Sequence, residues 1–422
     1  LGKGRPVAVT GLSNSGKSTL MRALATPQAE ARYRRERGHP GWLVYVDCNQ
    51  AVQLSGQAFY EVVLRSLLNH VRAHFEDGLL EELRQYYRAV TEAEGAFAAS
   101  LAFSLAITGL VEGAEPDLVL ILDEFDELYA ALDNRALLNL RALRDRFHAQ
   151  LGYVVATVRD LPMLRGQQIE GEFAELFAHT TYPMPLLTDQ EARVILEGLG
   201  LEGLTEERRN SCLWLAGGHP GLLMDIAQLI GKVPKGKLED PLALVAGEPQ
   251  TRAECLKIWG QLTQEEQEGL LILALEKESS LPPGLHARLR RMGLVKGGEI
   301  FSPLLADFVA RRGRSRKVES QGVYLDADSG DVWVDGARIP VLTDLEYRLL
   351  KLLHERRDKL TDKYRIVTQV WGEQYLGEVD DGRVEKLISR LRSKIEPDPS
   401  NPRYLITQRG RGYKLLSKPA HA

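Results

Sequence analysis

Gly11-Leu-Ser-Asn-Ser-Gly16-Lys17-Ser18-Thr19 decides the amino-terminal fold. It follows an apolar run, Val7-Ala8-Val9-Thr10, and opens a segment with Leu20, Met21 and Leu24 at helical spacing. A strand that turns through glycines into a helix offers backbone N–H groups to an anion, and the helix N-terminus adds positive dipole. The pattern predicts a phosphate-binding P-loop shaped and lined by Gly11, Ser13, Asn14, Ser15, Gly16 and Thr19. Lys17 is expected to reach the outer phosphates of ATP or ADP, and Ser18 to ligate Mg²⁺.

Downstream runs supply further sheet strands: Leu43-Val-Tyr-Val-Asp47, Leu118-Val-Leu-Ile-Leu-Asp123 and Tyr153-Val-Val-Ala-Thr157. Their alternation with helical patterns predicts a parallel sheet covered by helices. Asp123 closes one strand, where a carboxylate can hold Mg²⁺, and the adjacent Glu124 can polarise an attacking water. Asp126 and Glu127 complete the acidic turn and read as solvated. Arg159 stands just past the Tyr153 strand, placed to sense a γ-phosphate. The period-two pattern Ser100-Leu-Ala-Phe-Ser-Leu-Ala-Ile107 predicts an inserted strand, packed in the core or forming an edge for self-association.

The segment Leu118 to Glu124 resembles the Walker B motif of the additional-strand P-loop NTPases, which implies a catalytic role for Glu124. Beyond about residue 186 helices take over, announced by Thr188-Asp-Gln-Glu191, Thr263-Gln-Glu-Glu266 and Thr343-Asp-Leu-Glu346, each a capping box. Leu215-Ala-Gly-Gly-His219-Pro220-Gly-Leu-Leu223 resembles the G-x-P lid element of the STAND ATPases, which places His219 and Pro220 beside the nucleotide. The likeness covers roughly residues 1–250 and extends to archaeal origin-recognition initiators. AAA+ ATPases usually carry an Arg before the fifth strand, and residues 171–179 contain none; Arg165 is the nearest candidate. Residues 250–310 look like a small winged helix without a clear basic face, which in STAND proteins docks on the nucleotide domain.

The last hundred residues read differently. A helix over residues 383–395 buries Val384, Leu387, Ile388, Leu391 and Ile395 at helical spacing. Arg383, Lys386, Arg390 and Lys394 make a separate cationic stripe, suited to a DNA major groove. A hairpin follows, with Arg409 and Arg411 at its tip. Leu342-Thr-Asp-Leu-Glu-Tyr-Arg-Leu-Leu350, Val384-Glu-Lys-Leu-Ile-Ser-Arg-Leu-Arg392 and Arg409-Gly-Arg-Gly-Tyr413 resemble the OmpR/PhoB-type winged helix. The resemblance adds Arg392 and Ser389 to the recognition helix, with Ser389 standing where many members have Arg. Those members usually follow a phosphorylatable receiver domain, whereas here a nucleotide-binding module stands in that place.

Charge supports the division. The 422 residues carry a net −4, yet residues 311–422 hold 23 Lys+Arg against 17 Asp+Glu, leaving −10 for residues 1–310. The two ends therefore face different partners. Three scattered cysteines, Cys48, Cys212 and Cys255, form neither a disulfide framework nor a metal clip and fit a reducing cytoplasm. The longest uncharged run falls short of the roughly 20 residues that span a bilayer, so no membrane partner is expected.

The expected fold is an α/β P-loop NTPase core over residues 1–185 and an α-helical lid over 186–249, followed by two winged-helix domains. The first of these occupies residues 250–310, a basic linker 311–321, and the DNA-binding winged helix 322–422. The expected function is a prokaryotic cytoplasmic regulator that binds double-stranded DNA, with ATP binding and slow hydrolysis controlling its conformation or self-association. The alternative is an AAA+-like ATPase that remodels DNA, and the upstream signal stays open.

Overall fold

The computed structural model describes residues 4–74, 77–113, 117–165, 171–234, 238–275, 281–318, 322–325, 332–339, 342–372 and 381–419. The chain divides into two compact units, Leu1–Phe308 and Val309–Ala422.

The first unit is built on five parallel strands: β1 Val7–Thr10, β2 Gly41–Asp47, β3 Asp117–Asp123, β4 Leu151–Thr157 and β5 Thr181–Pro183, in the order β2-β3-β4-β1-β5. Every residue of β3 and β4 is buried, as expected of parallel strands covered on both faces. One face packs Met21 and Tyr33 onto Leu43, Ile121 and Val154. The other carries an aromatic cluster in which Phe125 contacts Phe59, Tyr129 and Phe173.

The crossover from β2 to β3 holds three helices, Gly56–His74, Asp77–Thr91 and Ala96–Gly113. The last replaces the strand expected at residues 100–107. Its small-large alternation also places Ala99, Phe103, Ala106 and Leu110 on one helical face, and all four are buried. Alanine and leucine favour the helix, and the neighbouring helices give that face something to pack on. Among the described residues this is the one helix long and apolar enough in composition to cross a membrane. Phe97, Leu101 and Leu105 project outward from it.

Four described helices lie between β5 and residue 249: Asp189–Gly198, Glu206–Ala216, Pro220–Lys232 and Pro241–Ala246. Thr188 and Glu191 form the expected capping box. His219 caps the third helix and Pro220 occupies its first turn, where a missing N–H costs nothing. Residues 249–308 then hold helices Pro249–Gly260, Gln264–Leu275 and Pro283–Arg291, and a short hairpin pairing Val295–Lys296 with Glu299–Ile300. Helix Pro303–Val318 continues through residues 311–318, so the cationic run read as a linker is helical over its first eight residues. Arginine and lysine propagate a helix readily once its buried start, Leu304 and Leu305, is anchored.

The second unit has an antiparallel three-stranded sheet, Val323–Leu325, Val332–Val334 and Ala337–Arg338. Helices Asp344–Glu355, Lys363–Val370 and Asp381–Ile395 follow, and a hairpin pairs Leu405–Gln408 with Gly412–Leu415. Gly412 sits at φ 131°, and a Cβ there would lie 2.2 Å from the Thr361 carbonyl oxygen. Only glycine lets the hairpin approach the segment leading into the second helix so closely. Leu349, Ile366, Leu387, Leu391 and Tyr413 meet in the core.

Candidate functional site

The loop after β1 has the shape its sequence predicts. Gly16 adopts a left-handed conformation, φ 98°, at the start of helix Lys17–Leu24, and Asn14 is left-handed at φ 56°. Lys17 is buried and its Nζ donates to the Gly11 and Leu12 carbonyls at 2.9 and 3.0 Å. Burial pulls its pKa down, opposed by Glu124, Asp126 and Asp123. The Ser15 hydroxyl is buried with no hydrogen-bond partner among the described residues. An orphaned hydroxyl and a buried lysine at a helix N-terminus fit a phosphate chain. A cavity of about 350 Å³ adjoins the loop, lined by Thr10, Gly11, Leu12, Arg159, Met184 and Arg288 among others.

The acidic residues gather opposite. Asp123 is buried at the end of β3, where it accepts the Tyr45 hydroxyl at 2.8 Å and the Glu124 N–H at 3.1 Å. Glu124 has a left-handed backbone, φ 52°, and accepts the Ser18 hydroxyl at 3.4 Å. Ser18 and Glu124 are thus brought together beside Asp123, and hydroxyl and carboxylate oxygens are the donors that Mg²⁺ favours. Asp126 is not merely solvated: it accepts the Val158 N–H at 2.7 Å, and burial raises its pKa to about 6. Glu127 is exposed, as expected.

Arg159 is turned away from free solvent. It donates to both carboxylate oxygens of Glu266, at 2.9 and 2.6 Å, and to the Gln261 carbonyl at 2.5 Å. A γ-phosphate would have to compete with that buried carboxylate. Arg165 donates to the Tyr129 and Leu132 carbonyls at 2.9 and 2.6 Å and to Asn134 at 3.0 Å, so it braces its own domain.

His219 and its surroundings come to the loop. Its Nδ1 accepts the Leu222 N–H at 3.2 Å, which puts the proton of the neutral ring on Nε2, 3.0 Å from the Ser13 carbonyl. Burial lowers its pKa to about 4, so the ring is neutral at pH 7. Two side chains that the sequence did not mark also reach the loop. Asn14 Nδ2 donates to both Glu254 oxygens at 2.8 and 2.9 Å, and the Ser13 N–H donates to Gln261 Oε1 at 2.9 Å. No local pattern signals either contact, because the partners lie some 240 residues apart.

In the second unit Arg383, Lys386, Ser389 and Arg390 are exposed along helix Asp381–Ile395, opposite its buried Val384, Leu387, Ile388 and Leu391. Arg409 and Arg411 are exposed at the hairpin tip. Two members of the expected face are engaged elsewhere. Arg392 donates to the Leu405 carbonyl at 2.9 and 2.6 Å and to the Thr407 hydroxyl at 2.8 Å, fastening the helix to the hairpin. Lys394 donates to Glu346 at 2.7 Å, one turn beyond the exposed stripe.

Known proteins match the two ends separately. Residues 1–155 match the family described as AAA ATPase domain, and residues 338–415 match the family described as transcriptional regulatory protein, C terminal. An uncharacterized transcriptional regulatory protein of Bacillus subtilis, YrkP, is 44% identical over 85 residues, 20% of this chain and 36% of that protein. The sensory transduction protein RegX3 of Mycobacterium tuberculosis is 39% identical over 98 residues, 23% of this chain and 42% of that protein. The chain thus spans about two fifths of the length of these curated relatives. Among solved structures, a Walker-type ATPase of Pyrococcus abyssi is similar at 14% identity and TM-score 0.44, over 72% of this chain and 90% of that one. The Klebsiella pneumoniae RstA DNA-binding domain, solved in complex with the RstA box, is similar at 22% identity and TM-score 0.20, over 22% of this chain and 91% of that one.

Proposed function

From an AAA ATPase domain and an OmpR/PhoB-type winged helix carried on one chain, we propose an ATP-controlled, DNA-binding transcriptional regulator. One observation carries the reading: the same chain holds a buried-lysine phosphate loop facing Asp123 and Glu124, and a recognition helix whose Arg383, Lys386 and Arg390 stay exposed. The loop from Gly11 to Thr19 binds the phosphates of ATP or ADP. Ser18 and Asp123 hold Mg²⁺, which when bound neutralises developing phosphate charge. Glu124 orients and deprotonates water slowly, so that hydrolysis resets the switch. His219 and Pro220 close the lid over the nucleotide, and residues 249–308 act as a docking module of winged-helix type. Arg390 reads base edges, Arg383 and Lys386 hold phosphates, and Arg409 and Arg411 reach the adjacent minor groove. The regulator works in a prokaryotic cytoplasm, with self-association on ATP binding.

The test is DNA binding by the full chain without nucleotide, with ADP, and with a slowly hydrolysed ATP analogue, for wild type and Glu124→Gln. The switch predicts affinities that differ between nucleotide states and persist in Glu124→Gln. Equal affinity in every state refutes it, and a need for continuous turnover favours a DNA-remodelling ATPase instead.

A further inference from the structure

The tip of the phosphate loop, Ser13-Asn14, is not held by the loop itself. The Ser13 carbonyl accepts from His219, and the Asn14 carbonyl accepts the Gly221 N–H at 3.2 Å. Both contacts come from the lid. Two further polar groups of the tip are taken by residues beyond the lid: Glu254 receives the Asn14 side chain, and Gln261 receives the Ser13 N–H. Glu254 is buried, with Lys257 at 3.3 Å as a second partner. Gln261 faces both ways, since its side chain accepts from Ser13 while its carbonyl accepts from Arg159.

The packing is tight enough to transmit displacement. A Cβ on Gly221 would lie 2.5 Å from Glu254 Oε1 and 2.7 Å from the Asn14 Cβ. Loop, lid helix and helix Pro249–Gly260 therefore meet with no room for one methyl group. Asn14 keeps its left-handed backbone, unusual for a residue other than glycine, at the point where these bonds converge.

We infer that Glu254 and Gln261 are positioning residues for the phosphate loop, so that nucleotide affinity depends on the helical segment beyond the lid. Four anchors fix the tip before a ligand arrives. Remove one, and the free loop gains conformations that binding must then suppress, which weakens affinity without removing any group that touches phosphate. Linkage makes the relation reciprocal: nucleotide bound to the loop tightens residues 249–266. The inference rests on the reading of the loop as a nucleotide site.

The experiment titrates the full-length protein with a fluorescent ADP analogue, at a temperature where melting curves show each variant folded. Gln261→Ala and Glu254→Ala should each weaken binding about tenfold, the scale of one lost buried hydrogen bond. Glu254→Gln keeps an oxygen for Asn14 and should recover most of the affinity lost in Glu254→Ala. Glu268→Ala, exposed on the neighbouring helix and bonded to Gln264, should bind as wild type does. Hydrogen exchange across residues 249–266 should slow on adding ADP in wild type and not in Gln261→Ala. Should Gln261→Ala fail to fold, the Glu254 pair carries the same test. Lower melting temperatures with unchanged affinity would overturn the inference, leaving these residues merely structural. Tighter binding by both Glu254 variants would also overturn it, since the carboxylate would then act only by repelling phosphate. If wild type binds no nucleotide at all, it is the proposed function that fails.

Discussion

Two capping boxes, one in each compact unit, use the same four-residue device with different reach. In the first unit the Thr263 N–H donates to Glu266 at 2.8 Å, and the Glu266 N–H donates back to the Thr263 hydroxyl at 3.3 Å. Glu266 is almost wholly buried and also takes Arg159 through two bonds, with Arg288 3.2 Å away. In the second unit Thr343 and Glu346 repeat the box, and among the described residues Glu346 takes one cation, Lys394. The third box, Thr188–Glu191, is solvent-exposed and only caps its helix. A cap costs little sequence, but once buried its carboxylate must be neutralised, and the cation that answers decides which distant segments are tied together.

That difference sets a graded series. Glu266→Ala leaves Arg159 and Arg288 facing a buried gap and should destabilise the first unit by about 3–5 kcal/mol, the cost of breaking a buried pair. Glu346→Ala should cost less, about 1–2 kcal/mol, because Lys394 can turn to water. Glu191→Ala should barely move the urea midpoint. Unfolding curves that follow each unit separately check the order, and equal losses from Glu266 and Glu346 would break the comparison.

Acid should separate the units next. Burial opposes ionisation of Glu266 and Glu346, but the bonds from Arg159 and Lys394 and from the capping threonines outweigh it, so both pKa values fall. Their contribution is present above the ordinary carboxylate range and is lost as pH drops through it. The histidines act earlier. Burial lowers both His219 and His354 to about 4, the latter with help from Arg357. The unfolded chain therefore binds protons below about pH 6.5 that the folded one refuses until about pH 4, and stability falls as pH drops through that window. For the fully buried His219 the loss is of the order of 3 kcal/mol; for half-buried His354 it is smaller. His219→Gln keeps an acceptor for Leu222 and a donor for Ser13, and should flatten the slope of the first unit between pH 6.5 and 4. An unchanged slope would mean that another group carries the acid response.

The boxes also mark where sequence reading stops. Strand, glycine turn and helix around Lys17, the acidic end of β3 and the amphipathic recognition helix are local patterns, and each forms where its pattern lies. The partners of Arg159 and Lys394 are not local. Each is a cation in a functional-looking position, yet each pairs with a capping glutamate, 107 and 48 residues away respectively. Glu254 and Gln261 lie about 240 residues from the loop they hold. Residues 100–107 fail for a different reason: small-large alternation satisfies a strand period and one face of a helix alike, and only the neighbouring helices decide between them.

The sharpest contrast lies within one helix of the second unit. Arg390 and Arg392 sit two residues apart on one helix, 200° around it, and the sequence assigns both to DNA. Arg390 is exposed, whereas Arg392 is half-buried against the hairpin strand. Arg392→Ala should strip the Leu405 carbonyl and cost about 1–3 kcal/mol of the second unit's stability, while the folded fraction keeps its sequence preference. Arg390→Ala should leave stability within about 0.5 kcal/mol and relax preference by about 1–3 kcal/mol at one base position. Competition binding against single-base operator variants, run beside urea melts, reads both quantities on the same proteins. A loss of preference in Arg392→Ala without loss of stability would move that side chain back onto the DNA face. It would also show that the bonds to Leu405 and Thr407 yield when DNA arrives.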